Sequence, residues 1–277
     1  MPVCADSVSK WRLAGRYPTV SLKAGVRIYE AESVHGESVI DATPLQEGML
    51  RLGLESEGDG LYVQQLVMTF REPIDPAVLR AAWDRIVARH GILRTAFRHS
   101  STGGVIQEVF PRVEGLMCLE DWSGLASEES QRRLSAYLNS DRRQGFDPTQ
   151  APLWRLGLFR CGESDWRCVW TSHHALLDGR SRRHLLVEWL GLHDTLSHGV
   201  KPVLEAPPRP FADYARWLAG RDSSGSRSHF ERLLQGFVEP TPLPMARRMP
   251  GAPGPESCHG TLHWSLSEAA TDRLSRR

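Results

Sequence analysis

One stretch constrains this chain more than any other: a buried-strand pattern at Trp166–Thr171 that leads into His173-His174-Ala175-Leu176-Leu177-Asp178-Gly179. Helical periodicity opens at Ser181, with Leu185, Leu186, Trp189, Leu192 and Leu196 on one face. Strand, connection and helix follow in order, and the connection carries two imidazoles, a carboxylate and a glycine. Connections between rigid elements are where chemistry is usually placed, and imidazole is the side chain that titrates nearest neutrality.

The rest of the chain supplies layers for that unit to pack against. Asp41–Leu50 reads as a turn entering a short helix, with Thr43 as N-cap and Pro44 at the first helical position. Leu61–Phe70 is rich in β-branched and aromatic residues and predicts a strand. Asp75–His90 is the clearest helix, with Val78, Leu79, Ala82, Trp83, Ile86 and Val87 in two adjacent rows, Asp75 as N-cap and Gly91 ending it. Leu93–Phe97 and Gly104–Phe110 predict a strand pair across Ser100–Gly103. A helix capped by Ser127 is expected over Glu128–Gln144, then strands at Leu153–Phe159 and Trp166–Thr171 around Gly162-Glu163-Ser164. Short helices follow at Phe211–Ala219 and Ser228–Leu234, a Pro-rich linker at Glu239–Glu256, a strand at Thr261–Leu266, and a last helix capped by Ser267. Strands and helices that mix without strict alternation point to an α+β fold.

Composition narrows the function classes. A net charge of +1 gives no reason to expect a nucleic acid or an anionic membrane as partner. No apolar run approaches the ~18 residues of a membrane span, and no signal peptide is visible. The five cysteines are scattered, odd in number and without CxxC spacing, as expected of reduced thiols in a cytoplasmic protein. Near the histidines, Ser172, Ser181, Cys161 and Cys168 are the available nucleophiles, but none sits in a GxSxG elbow. A metal cluster of Cys168, His173, His174 and Asp178 is disfavoured, because adjacent histidines at a strand end face opposite ways.

His174 is the candidate general base, suited to removing a proton from an amine or hydroxyl nucleophile. The plainer alternative is a pair of satisfied core histidines. Taken by itself, the sequence invites Asp178 as the group that orients His174. Gly179 is either a turn glycine or a close approach whose N–H faces a reacting carbonyl.

The HHxxxDG string resembles the signature of acyltransferases related to chloramphenicol acetyltransferase. Arg89-His90-Gly91-Ile92-Leu93-Arg94-Thr95-Ala96-Phe97 is similar to an RHxxLRTxF motif, Thr43–Leu50 (TPLQEGML) to an opening TPLQxGML motif, and Asp213–Trp217 (DYARW) to a downstream YxDFAxW-type motif. In this order and spacing the four resemble the condensation domain of nonribosomal peptide synthetases. The resemblance implies a chloramphenicol-acetyltransferase-like lobe, a mixed sheet packed by helices. Residues 1–38 would be a lead-in, 39–258 the N-terminal lobe and 259–277 the start of a C-terminal lobe that is largely missing. It also implies amide-bond formation between acyl or peptidyl and aminoacyl thioesters presented by upstream and downstream peptidyl carrier proteins. No cofactor would be bound directly, since phosphopantetheine arrives on those carriers; the missing lobe and neighbouring synthetase domains are the other partners. His174 would act on the amine and His173 would be mainly structural. Asp178 would form a buried salt bridge with an arginine, with Arg94 as the assigned partner. Arg180 departs from the pattern, where tryptophan often follows the glycine. The alternatives are a non-catalytic carrier-docking or scaffold half-domain, or a related epimerisation or ester-forming acyltransferase. The chain alone is expected to fold at least in part and to be inactive.

Overall fold

The computed structural model describes residues 38–55, 60–101, 103–202, 206, 208–239, 241 and 264–276. The chain divides into two compact units, residues 1–221 and 222–277. The first holds β1 (Ser38–Asp41), α1 (Pro44–Glu55), β2 (Val63–Phe70), α2 (Pro76–Arg89), β3 (Thr95–His99), β4 (Val105–Val109), β5 (Met117–Asp121), α3 (Ser127–Gln144), β6 (Trp154–Arg160), β7 (Trp166–His173), α4 (Gly179–Ser197) and α5 (Phe211–Ala219). The second holds α6 (Ser224–Leu233) and α7 (Glu268–Ser275). The larger sheet runs β2-β7-β6-β5, antiparallel except for the parallel β5–β6 pair, and the smaller runs β1-β4-β3, all antiparallel.

β6 and β7 lie inside the larger sheet and are buried along nearly their whole length, which accounts for their almost continuous apolar runs. Strand alternation sorts their side chains into two cores. Leu156, Leu158, Cys168 and Trp170 join α2 and α4, whereas Phe159 and Val169 meet Trp122 and Leu134 of α3. Trp83 centres the first core, with edge-on contacts to Trp154, Trp170 and Trp189 at centroid distances of 5.1, 4.9 and 4.7 Å. Two of these indoles settle their N–H on backbone carbonyls: Trp154 donates to Leu93 O at 2.8 Å and Trp189 to Leu79 O at 3.1 Å.

Caps set the helix starts. Asp75 accepts from Ala77 N and Ser267 from Ala270 N. At α1, Thr43 and Gln46 cap reciprocally: Thr43 N donates to Gln46 Oε1 at 2.9 Å and Gln46 N donates to Thr43 Oγ1 at 3.4 Å. The expectation for α3 is corrected. Ala126 is its N-cap and makes no side-chain cap bond, and Ser127 is already helical. Glu128 and Glu129 complement the dipole there instead. α3 stops at Gly145, whose φ of 60° and ψ of −155° form a combination open essentially to glycine.

Other differences are local. Ser38–Asp41 is a strand paired with β4, and β5 is a strand the periodicity did not reveal, being short and half-exposed. A 3-10 turn (Gly91–Arg94) precedes β3, and α2 ends on the extended backbone of His90 rather than on a glycine conformation. Trp264–Leu266 is not a strand, and residues 261–263 lie outside the described residues. So do residues 1–37 of the lead-in and nearly all of the Pro-rich linker. α6 begins before Ser228 and belongs to the second unit.

Candidate functional site

β7 delivers the two histidines to the end of the sheet, and the Asp178 cap of α4 closes the connection five residues later. The final residue of the strand, His173, is buried between the rings of Phe146 and Tyr62. Its Nδ1 accepts the Ala175 N–H at 3.1 Å, so Nε2 carries the proton of the neutral ring. Burial, reinforced by the neighbouring His174, pulls its pKa down to about 4. This ring is neutral near pH 7, and its Nδ1 is spent on the backbone of the loop.

His174 is half-buried and bonded differently. Its backbone N–H donates to Tyr62 O at 2.8 Å, and its Nδ1 lies 2.8 Å from Leu177 O. A carbonyl only accepts, so Nδ1 must hold the proton and Nε2 must present its lone pair. Among the described residues nothing hydrogen-bonds Nε2. A base needs this tautomer, and a backbone carbonyl rather than an acid selects it.

Asp178 is exposed and accepts from Ser181 N at 2.7 Å as the N-cap of α4. Hydrogen bonds from Ser181 hold its carboxyl below the usual carboxylate range, with smaller attractions from His174 and Arg180. Two expectations are thereby corrected. Asp178 neither orients His174 nor forms a buried pair with Arg94, which instead donates to Val87 O and Phe110 O. The physical reason is that a carboxylate directly before a helix finds unpaired N–H groups closer than any distant cation. Gly179 is the first residue of α4, exposed, with nothing within 4 Å of where a Cβ would stand.

Among the described residues, the buried acid–arginine pair is Asp141 with Arg155. Asp141 also accepts from Gln65 Nε2 at 2.7 Å and Thr171 Oγ1 at 2.6 Å, tying α3 to β2, β6 and β7 two residues before His173. Sequence reading passed over it because both residues looked like ordinary charges on an amphipathic helix and a strand.

Two of the other motifs brace this loop and the helix that follows it. Gln46 spends every polar atom. Beyond the cap, its Nε2 donates to Gln107 Oε1 and to Ala175 O, both at 3.0 Å, clamping α1 and β4 onto the histidine loop. Arg89 and His90 each bind Glu188 of α4 at 2.7 Å, locking the end of α2 to the helix that follows the site. In α5, Ala212 and Ala215 are buried while Tyr214 and Trp217 are exposed. Sequence reading also missed Tyr62. Its φ of 62° is the only positive value among the described non-glycine residues, and this conformation aims its carbonyl at His174 N. The LYVQQ strand pattern concealed that turn.

Burial pushes the Cys168 thiol up to about 12, far from a thiolate nucleophile. Among the described residues no group of His, Cys, Asp and Glu gathers to hold a metal, and no helix is long and apolar enough to cross a membrane.

A sequence model described as Condensation domain matches residues 37–276. One component of the linear gramicidin synthase of Brevibacillus parabrevis is 38% identical over 240 residues, spanning 86% of this chain and 5% of that protein. Bacitracin synthase 1 of Bacillus licheniformis is 28% identical over 240 residues, spanning 87% of this chain and 4% of its own length. In three dimensions the starter condensation domain of rhizomide synthetase RzmA superposes with a TM-score of 0.62 at 20% identity, covering 75% of this chain and 51% of that one. The likeness in structure concerns the fold.

Proposed function

The chain belongs to the condensation-domain family, and from that premise we propose that His174 serves amide-bond formation between two carrier-tethered thioesters in nonribosomal peptide synthesis. The observation that carries this reading is the tautomer: Leu177 O accepts a hydrogen bond from Nδ1–H, which leaves the Nε2 lone pair free as a base. An upstream carrier protein brings an acyl or peptidyl thioester on its phosphopantetheine arm, and a downstream carrier brings an aminoacyl thioester. The acceptor amine attacks the donor carbonyl, so a C–N bond forms and the C–S bond breaks. Nε2 of His174 takes the proton from the amine and passes it to the departing thiolate. His173 and Asp178 support the loop, one as a neutral buried ring and the other as a helix cap. The Gly179 N–H, at the positive end of α4, is a donor for charge building on the carbonyl oxygen.

Alignment of two tethered substrates supplies much of the rate. The phosphopantetheine arms belong to the carriers, and the setting is the cytoplasm. The test uses a synthetase that contains this chain, with both carriers loaded. His174→Ala lowers the rate of amide formation by roughly 10²–10⁴-fold while the melting temperature stays near wild type. Wild-type turnover in that variant refutes the assignment.

A further inference from the structure

The first turn of α4 holds a cation for which the chemistry above has no task. The buried face of this helix runs through Leu185, Trp189, Leu192 and His193. Arg182 lies on the same stripe, three residues before Leu185 and seven before Trp189, where an aliphatic side chain would ordinarily sit. It is half-buried, and its Nε and Nη2 atoms are shielded from solvent with no hydrogen-bond partner among the described residues. The acids of α4 and its cap are engaged elsewhere: Asp178 on Ser181 N, Glu188 on Arg89 and His90, and Asp194 beside His198. Burial lowers the Arg182 pKa with no acidic neighbour opposing it, and the guanidinium nevertheless stays charged.

A cation withdrawn from water without a partner costs stability, so its retention calls for an explanation. Nε and Nη2 are adjacent nitrogens whose N–H bonds run parallel along one edge of the guanidinium. That edge grips two oxygens of a carboxylate or phosphate at once. α4 also begins directly after the loop that holds His174. We propose that Arg182 is a substrate-binding residue that grips an oxyanion brought in with a carrier-tethered substrate. The oxyanion is either a carboxylate on the acyl or aminoacyl group or the phosphate of the pantetheine arm. The inference rests on the condensation reading for the identity of these substrates, while the unpaired guanidinium edge stands independently of it.

Two measurements on the 277-residue chain test the inference without turnover. The first follows the Arg182 Nε–H resonance, assigned by its loss in Arg182→Leu. Four probes are added in turn: phosphopantetheine, pantetheine, and the N-acetylcysteamine thioesters of glutamate and of leucine. A shift with phosphopantetheine but not pantetheine identifies the phosphate, and a shift with the glutamyl but not the leucyl thioester identifies the carboxylate. Arg182→Lys, which keeps the charge but loses the fork, binds the responding probe roughly tenfold more weakly. The second measurement is thermal: Arg182→Leu melts at or above the wild-type temperature, because it removes a half-buried charge that has no partner among the described residues. A lower melting temperature would reveal a structural partner and overturn the proposal. So would a resonance that no probe moves, or one moved equally by both members of each probe pair. Neither measurement depends on His174, so this proposal and the proposed reaction fail separately.

Discussion

At neutral pH the His173 ring is uncharged in the folded chain, because its surroundings offer an N–H donor and two aromatic rings but no anion. Its folded pKa of about 4 lies below the ordinary value of 6.5. Above pH 6.5 both folded and unfolded chains hold the ring neutral, and its contribution is complete. As the pH falls from 6.5 towards 4 the unfolded chain takes the proton first, so the folded state loses up to roughly 3 kcal/mol. His173→Asn keeps an acceptor for Ala175 N and cannot titrate. Chemical denaturation of both chains at pH 7, 5 and 4 should show a shallower decline for the variant, and parallel declines would refute the assignment. Asp178 is the second residue-scale case. As an exposed cap its replacement by alanine costs about 1 kcal/mol, and Asp178→Ser recovers most of it. A loss of the ~3–5 kcal/mol expected of a stranded buried arginine would instead restore the pairing that the structure replaces.

Elements in this lobe are joined by polar side chains that have left solvent. α3 contributes few apolar residues, yet Asp141 anchors it through Arg155, Gln65 and Thr171. The arginine also stacks over Phe146, 4.3 Å from the ring centroid, and Phe146 in turn meets His173. Removing Asp141 strands Arg155 in a buried site. Asp141→Ala should therefore cost about 3–5 kcal/mol, whereas Asp141→Leu combined with Arg155→Met should recover most of that. Equilibrium denaturation of the three chains decides the matter, and additive losses in the double variant would contradict it. The same logic explains why Gln46 of α1 reaches the histidine loop: a buried amide needs four partners, and only the meeting of α1, β4 and that loop supplies them.

At the scale of the first unit, one indole joins what the chain order separates. Trp83 stands on α2 and touches tryptophans of β6, β7 and α4, so the sheet and its two covering helices share a single packing centre. Trp83→Ala should cost about 3–5 kcal/mol, because the rings around the void cannot all collapse into it. Hydrogen exchange should then rise together in α2, α4, β6 and β7. Exchange that rises in α2 alone would mean that the helices are held independently. The position of the candidate base depends on this centre, since β7 carries both Trp170 and the histidines.

Local patterns in the sequence determined most of the elements. Apolar periodicity marked α2 and α4, runs of apolar and aromatic residues marked β2, β6 and β7, and short-range caps marked Asp75, Thr43 and Ser267, because each signal involves neighbours within a few residues. The candidate base was legible for the same reason: two histidines, a strand before them and a helix after them lie in one continuous run. Tertiary structure decided what depends on distant partners. β1 and β5 are strands because β4 and β6 lie beside them. The buried ion pair is Asp141–Arg155 because the sheet brings α3 against β6, while Asp178 spends its charge on the nearest open helix end. The tautomer of His174 depends on where Leu177 O falls, and the backbone of Tyr62 on the need to meet His174 N. Hydrogen bonds require a partner within about 3 Å, and folding alone brings residues so far apart in sequence to that distance.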